Sequence, residues 1–180
     1  MEYLDILDKD GNPTGKKKPK PDVHKDGDWH KTVHIWIVTP KGELLIQKRS
    51  PEMDSYPNLW DISTAGHISA GEDSITSALR EAEEELGLKL KAENFHYLFT
   101  AIQQALLQNG TYINNEYNDV YLVELDPASL KFNLQKEEVS ETRWVPYQEL
   151  EKELSGDSQN FVPHLDEYNK LFSELRKRYS

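Results

Sequence analysis

The chain has 180 residues, enough for one domain with a proper core, and its 21 basic against 32 acidic side chains leave a net charge of −11, which argues against a basic footprint for nucleic acid polymers. The absence of cysteine excludes disulfides, zinc-thiolate sites and cysteine nucleophiles, and it fits a reducing cytoplasm. No stretch approaches the roughly 18 apolar residues of a membrane span, and "MEYLDILDKDG" lacks the basic-then-apolar pattern of a leader, so the expectation is a soluble, cytoplasmic protein with no membrane partner.

In chain order, Tyr3 to Leu7 alternate and meet a turn at Asp10-Gly11, which predicts an N-terminal hairpin. "KKKPKPD" at 16–22 combines charge with proline and reads as an exposed connector with solvated lysines; drawing anionic substrate inward is the alternative. The division expected is 1–28 for hairpin and connector and 29–180 for the main domain. "TVHIWIVTPKGELLIQKR" predicts two core strands around Pro40-Lys41-Gly42. His34, inside the apolar run, reads as a hydrogen-bonded core residue, His24 as a loop residue, and Trp36 and Trp60 as packing.

"SPEMDSYPNLWD" reads as a loop before a short strand, "DISTAG", and an acidic helix follows. The strand-like "FHYLFTAIQQAL" then turns near Asn109-Gly110 and returns as "NDVYLVEL", with "LQNGTYINNEYN" between them read as a substrate-selecting loop. One more strand, "ETRWVPY", precedes a short helix, "QELEKEL". In the final helix Leu165, Tyr168, Leu171, Phe172 and Leu175 have the spacing of a core-facing stripe. Strands and helices interleave without repeats, which gives a mixed α/β class in a single domain.

The acidic helix carries the chemistry. At about 100° per residue, Ile75, Ala78, Leu79, Ala82 and Leu86 share one stripe, and Glu81, Glu84 and Glu85 converge on an adjoining side. Like charges three and four residues apart repel by a few tenths of a kcal/mol per pair. Either the face is solvated or a cation sits on it, and carboxylates suit Mg²⁺, a hard ion that takes oxygen ligands.

The stretch from Gly66 to Leu88 resembles the signature box of the Nudix hydrolases, G-x5-E-x7-R-E-U-x-E-E-x-G-U with U apolar: Gly66, Glu72, Arg80, Glu81, Ala82, Glu84, Glu85, Gly87 and Leu88 fill every place. Chance agreement at the fixed places is roughly 10⁻⁷ per starting position. The resemblance implies an α/β/α sandwich around a mixed sheet, here one domain with an N-terminal hairpin extension and a C-terminal helix. It also implies cleavage of a nucleoside diphosphate linked to some moiety X, using Mg²⁺ or Mn²⁺. Glu84 and Glu85 are then the principal metal ligands, Glu81 a third ligand or the base, Glu72 an outer partner, and Arg80 the residue that orients the glutamates. Backbone amides after Gly66 could cradle a phosphate, and Lys48 and Arg49 at a strand end are candidates to clamp one, a surface salt bridge being the competing reading. Glu138 is a second candidate base, because some members place one in a late loop. Family members often form homodimers, so a homodimer is an allowed assembly.

Residues 27–145 are also similar to the subgroup containing the type I isopentenyl diphosphate isomerases and their hydrolase-like bacterial relatives. That resemblance assigns His30, His67 and Glu116 to a metal site, with Asn114 where the isomerases carry another glutamate; phosphate contact is the alternative for the histidines, and a solvent-facing carboxylate is the alternative for Glu116. Ala65 stands where the isomerases have the acid/base cysteine. The expectation is therefore a metal-dependent pyrophosphohydrolase acting on a small-molecule diphosphate. An isomerase-like enzyme is the runner-up, opposed by Ala65 and Asn114, and a nucleotide-sensing module is the third reading, opposed by the complete set of glutamates.

Overall fold

The structure, a computed structural model, describes residues 1–179. Among them, nine strands and four helices follow in the order β1 (Tyr3–Leu7), β2 (Pro13–Pro19), α1 (Lys20–Asp26), β3 (Trp29–Val38), β4 (Glu43–Arg49), β5 (Trp60–Asp61), β6 (Thr64–His67), α2 (Ser74–Leu86), β7 (His96–Leu107), β8 (Tyr112–Glu124), β9 (Val139–Pro146), α3 (Tyr147–Ser155) and α4 (Leu165–Arg178). No helix among the described residues is long and apolar enough to cross a membrane.

The sheet is organised around β3. It runs parallel to β8 from Trp29↔Asn115 to Val38↔Glu124 and antiparallel to β6 from Thr32↔His67 to Ile35↔Thr64. Although β3 and β4 are joined by a tight turn, they pair only at Val38↔Leu44, and β4 then pairs with β9 and β5. The sheet splits as the two strands diverge, and residues of both line the large cavity.

Alternation along β3 puts Val33, Ile35 and Ile37 on one face, where they pack with Leu45, Ala78 and Leu86 under α2. Trp36 and Val38 face the other way and pack with Leu44, Ile46, Leu171, Phe172 and Leu175 under α4. A sandwich with helices on both faces of a mixed sheet results, as the box resemblance implies. The same β3 face that carries Trp36 carries His30, Thr32 and His34 nearer its start, all buried. Its apolar character thus ends where the cavity begins.

Three local expectations need correction. The lysine-rich connector is structured: its first part lies in β2, a solvent-facing strand held to β1 by backbone pairing, and the rest starts α1. Lysines keep such an outer strand from pairing with other chains, and Pro21 is tolerated in the first helical turn, where its missing N–H is not needed. Second, β8 begins at Tyr112, so most of the expected substrate loop is strand and the turn is confined to about Gln108–Gly110, where Asn109 takes a positive φ of 56°. Third, Leu165 is 69 % exposed, and the inward-facing place in the first turn of α4 belongs to Glu167.

Gly87 closes α2 with φ 72°, and a Cβ there would lie 2.7 Å from Asn133 Cβ and 2.9 Å from its backbone nitrogen. Both the left-handed backbone and the contact penalise any side chain. Gly87→Ala should lower unfolding free energy by about 2 kcal/mol, read as a lower urea midpoint; an unchanged midpoint would show that the cap is unimportant.

Candidate metal and diphosphate site

A cavity of about 700 Å³ lies against the start of β3, the end of β6 and one side of α2. Asp73 caps α2 by accepting from the Thr76 backbone N–H at 2.7 Å, and burial of Ala78, Ala82 and Leu86 sets the helix rotation. That rotation turns Glu81, Glu84 and Glu85 to the cavity. Glu81 and Glu85 are buried, whereas the Glu84 side chain is 53 % exposed.

Arg80 is the organiser of this wall. Its Nη1 donates to Glu81 Oε1 at 2.8 Å and Glu84 Oε2 at 3.4 Å, and its Nη2 to Glu72 Oε2 at 3.2 Å and the His67 carbonyl at 3.1 Å. Glu72 is fixed further by the Ser77 hydroxyl at 2.6 Å. The Gln47 amide donates to Glu85 Oε2 at 2.7 Å, a contact that the sequence did not signal because Gln47 sits on β4, far along the chain. Gly66 is explained by space: a Cβ on it would fall 2.0 Å from Glu81 Cδ.

The loop before β9 brings Glu138 to the same cavity, so five carboxylates, those of Glu72, Glu81, Glu84, Glu85 and Glu138, share its wall with the Arg80 guanidinium. Burial pushes the Glu81 carboxyl up to about 7 against the pull of Arg80, and Glu84 and Glu138 add to the rise. Burial, then the neighbouring Glu81, holds Glu85 well above the ordinary carboxylate range. Carboxylates this reluctant to ionise without a counter-charge fit a divalent cation with oxygen ligands.

A second group lies beside them. His30, His67 and Glu116 come together as the isomerase resemblance implies, and His24 joins them, so its reading as a loop residue is corrected: it is buried on α1. The ligand atoms of His24, His30 and His67 lie within 4.8 Å of one another. His24 Nε2 is 3.1 Å from His67 Nε2, and its ring stacks on Tyr112 with centroids 4.3 Å apart. His30 Nδ1 faces the Asp28 carbonyl at 3.0 Å, while its buried Nε2 makes no hydrogen bond and stands 3.5 Å from Glu116 Oε1. Asn114 Oδ1 is likewise buried without a partner. Burial, then Lys20 and the other histidines, depresses His67 well below the ordinary imidazole value and keeps it neutral, the form that ligates metal. Burial raises the Glu116 carboxyl, but the His30 imidazole beside it leaves it net lowered. The available signal for His24 was two histidines flanking Gly27: α1, its left-handed glycine cap and the return into β3 bring their rings together edge to face, with centroids 5.0 Å apart.

Arg49 lines the cavity, but its Nε donates to the Ser55 carbonyl at 2.9 Å, its Nη2 to Ser55 Oγ at 3.1 Å and its Nη1 to Asp61 Oδ2 at 3.2 Å. Much of its donor capacity thus holds the loop after β4. Lys48 faces Glu141 at 3.9 Å across the surface. His34 is buried as read from the sequence, bonding through Nδ1 to Glu167 Oε2 at 2.7 Å, and it also lines the cavity.

Fold, box and carboxylate wall together define a class. The NUDIX domain family model matches residues 28–165, and the chain belongs to the Nudix hydrolase family, which acts on diphosphate-containing substrates. It is 50 % identical over 98 % of its length to Nudix hydrolase 3 of Arabidopsis thaliana, of which it spans 24 %. It is 33 % identical to isopentenyl-diphosphate Delta-isomerase 2 of Photorhabdus laumondii, over 80 % of this chain and 77 % of that one. Among solved structures, a Deinococcus radiodurans protein superposes with a TM-score of 0.68 at 19 % identity, covering 99 % of this chain and 100 % of that one.

Proposed function

We propose that the chain is a divalent-metal-dependent pyrophosphohydrolase that cleaves the diphosphate linkage of a nucleoside diphosphate derivative. The observation that carries this reading is the wall of Glu81, Glu84 and Glu85 over Gly66, with the carboxyls of Glu81 and Glu85 buried beside each other and raised by burial and mutual repulsion, an arrangement a cation would relieve. Mg²⁺ or Mn²⁺ held there would neutralise the diphosphate and acidify the attacking water. Arg80 keeps Glu81 and Glu84 on the cavity side, and Gln47 fixes one oxygen of Glu85 so that the other is free to ligate. Glu138, half-buried on a loop, is placed to accept the proton of the attacking water. His24, His30, His67 and Glu116 would hold a second cation or the far phosphate, with Lys20 nearby as an added positive charge.

An assay of phosphate and mononucleotide release across nucleoside triphosphates, dinucleotides and nucleotide sugars tests this. One class should turn over at about 1–10 s⁻¹ with Mg²⁺ or Mn²⁺ and none after chelation; no cleavage of any class with either metal would contradict the reading. The three-histidine cluster with Glu116 favours a second reading, an isopentenyl diphosphate isomerase. Ala65 on β6 leaves it without an acid/base side chain at that position. Isomer exchange at about 1 s⁻¹ would promote it over hydrolysis.

A further inference from the structure

Besides the two candidate metal groups, the cavity is lined by Thr32, His34, Asp61, Gln103 and His164, polar side chains in an arrangement that neither reading above uses. His34 and Glu167 face each other across β3 and α4, and Glu167 also accepts the Trp36 indole N–H at 3.0 Å. Asp61 Oδ1 lies 2.8 Å from His164 Nε2, and His164 Nδ1 lies 2.9 Å from Gln103 Oε1. Gln103 in turn accepts from Asn118, which accepts from Thr32 Oγ1. Glu167, only 2 % exposed, occupies a place where a helix docked on a core would carry an aliphatic residue. A buried carboxylate–imidazole pair rarely stabilises a fold more than well-packed apolar groups would. A use for its polarity explains it better than stability does.

The network holds two side chains by one end and leaves the other end free. Among the described residues, His34 Nε2 and Gln103 Nε2 make no hydrogen bond, and both side chains line the cavity. Glu167 fixes the His34 ring, and Asn118 and His164 fix the Gln103 amide, so the free ends are oriented in advance. Gln103 stands directly across from Glu116 in the β7–β8 register. His34 lies four residues along β3 from His30, about 13 Å at the usual strand rise, which leaves room for a group beyond a diphosphate. His34, His164 and Glu167 have ligand atoms within 4.8 Å of one another, yet both ring nitrogens of His164 face protein acceptors and the Glu167 oxygens are taken by His34 and Trp36. The group is a closed hydrogen-bonded floor rather than a cation cage.

We propose that His34 and Gln103, held by Glu167 and His164, form a specificity floor that selects a hydroxyl-bearing moiety, a pentose or hexose joined to the diphosphate, over an isoprenyl chain. A hydroxyl both donates and accepts, so it satisfies the imidazole Nε2 in either protonation state and the amide N–H. A prenyl chain placed there leaves both unpaired, and a site built to hydrogen-bond rejects a partner that lacks the group. This inference rests on the diphosphate-cleaving reading for the position of the phosphates.

The test measures affinity and turnover separately for ADP-ribose and for geranyl diphosphate. Calorimetry in Ca²⁺ gives dissociation constants, and product release in Mg²⁺ gives kcat/KM. ADP-ribose should bind at least about tenfold more tightly. His34→Phe should erase that preference by weakening ADP-ribose alone, His34→Asn should restore part of it, and Gln103→Met should act in the same direction should His34→Phe fail to fold. Geranyl diphosphate binding as well as ADP-ribose, or neither binding, overturns the floor. Preferential ADP-ribose binding without cleavage keeps the floor and overturns the hydrolase reading; cleavage of both at equal efficiency does the reverse.

Discussion

Glu85→Gln should reduce kcat by on the order of 10²- to 10³-fold, a barrier increase of about 3–4 kcal/mol, with the fold intact. The substitution keeps the shape of the side chain and removes the charge that a cation requires. It changes the metal-free protein in the opposite sense. Glu81 is held up to about 7, and Glu85 is raised as well, so between the ordinary carboxylate range and pH 7 the folded state binds more protons than the unfolded one. These two carboxyls therefore contribute a loss of metal-free stability as pH rises through that window, on the order of 3 kcal/mol for a shift as large as that of Glu81, whereas His24 and His67, both depressed, contribute in the opposite sense and are common to wild type and variant. Glu85→Gln removes one charge of the repelling pair and should flatten the fall, and added Mg²⁺ should offset it in the wild type alone. Wild-type turnover by Glu85→Gln, or the same pH dependence of the metal-free melting temperature in wild type and Glu85→Gln between pH 5 and pH 7, would contradict the assignment.

Gly66→Ala should be nearly as damaging although it adds one methyl group. Gly66 lies in β6 paired with Val33 and does not take a positive φ, so alanine suits the backbone. Its Cβ, however, would sit 2.0 Å from Glu81 Cδ and 2.1 Å from Oε1. The Glu81 carboxylate must leave, and Arg80, bonded to it at 2.8 Å, must move with it. We expect kcat to fall about 10²-fold, equivalent to about 3 kcal/mol, with little change in melting temperature. In a Glu81→Ala background the same glycine substitution should cost almost nothing further, because the clash has no partner. Additive losses would place the role of Gly66 elsewhere.

Much of this site was legible before any coordinates. Helical spacing turned Glu81, Glu84 and Glu85 to one side of α2, and the aliphatic-rich runs of β3 and β4 marked the core. What escaped the sequence depended on contacts made through space. The lysines of β2 bury no apolar face, so the strand has no hydrophobic alternation and is held chiefly by backbone pairing to β1. His24 stood in a polar segment and joins the histidine group only because α1 folds back over His30 and His67. Leu165 fitted the apolar stripe of α4 by spacing, but the first turn presents Glu167 inward, where His34 and Trp36 are waiting for an acceptor. A stripe of leucines predicts which face is buried, not the residue at which the core turns polar.

The most direct measurement is anomalous diffraction from crystals equilibrated with Mn²⁺ and a nonhydrolysable diphosphate. The account predicts a manganese peak within about 2.5 Å of carboxylate oxygens from at least two of Glu81, Glu84 and Glu85, with any second ion among His24, His30, His67 and Glu116. Manganese confined to the histidine group, with Arg80 still bonded to Glu81 and Glu84 and no ion beside them, would contradict it.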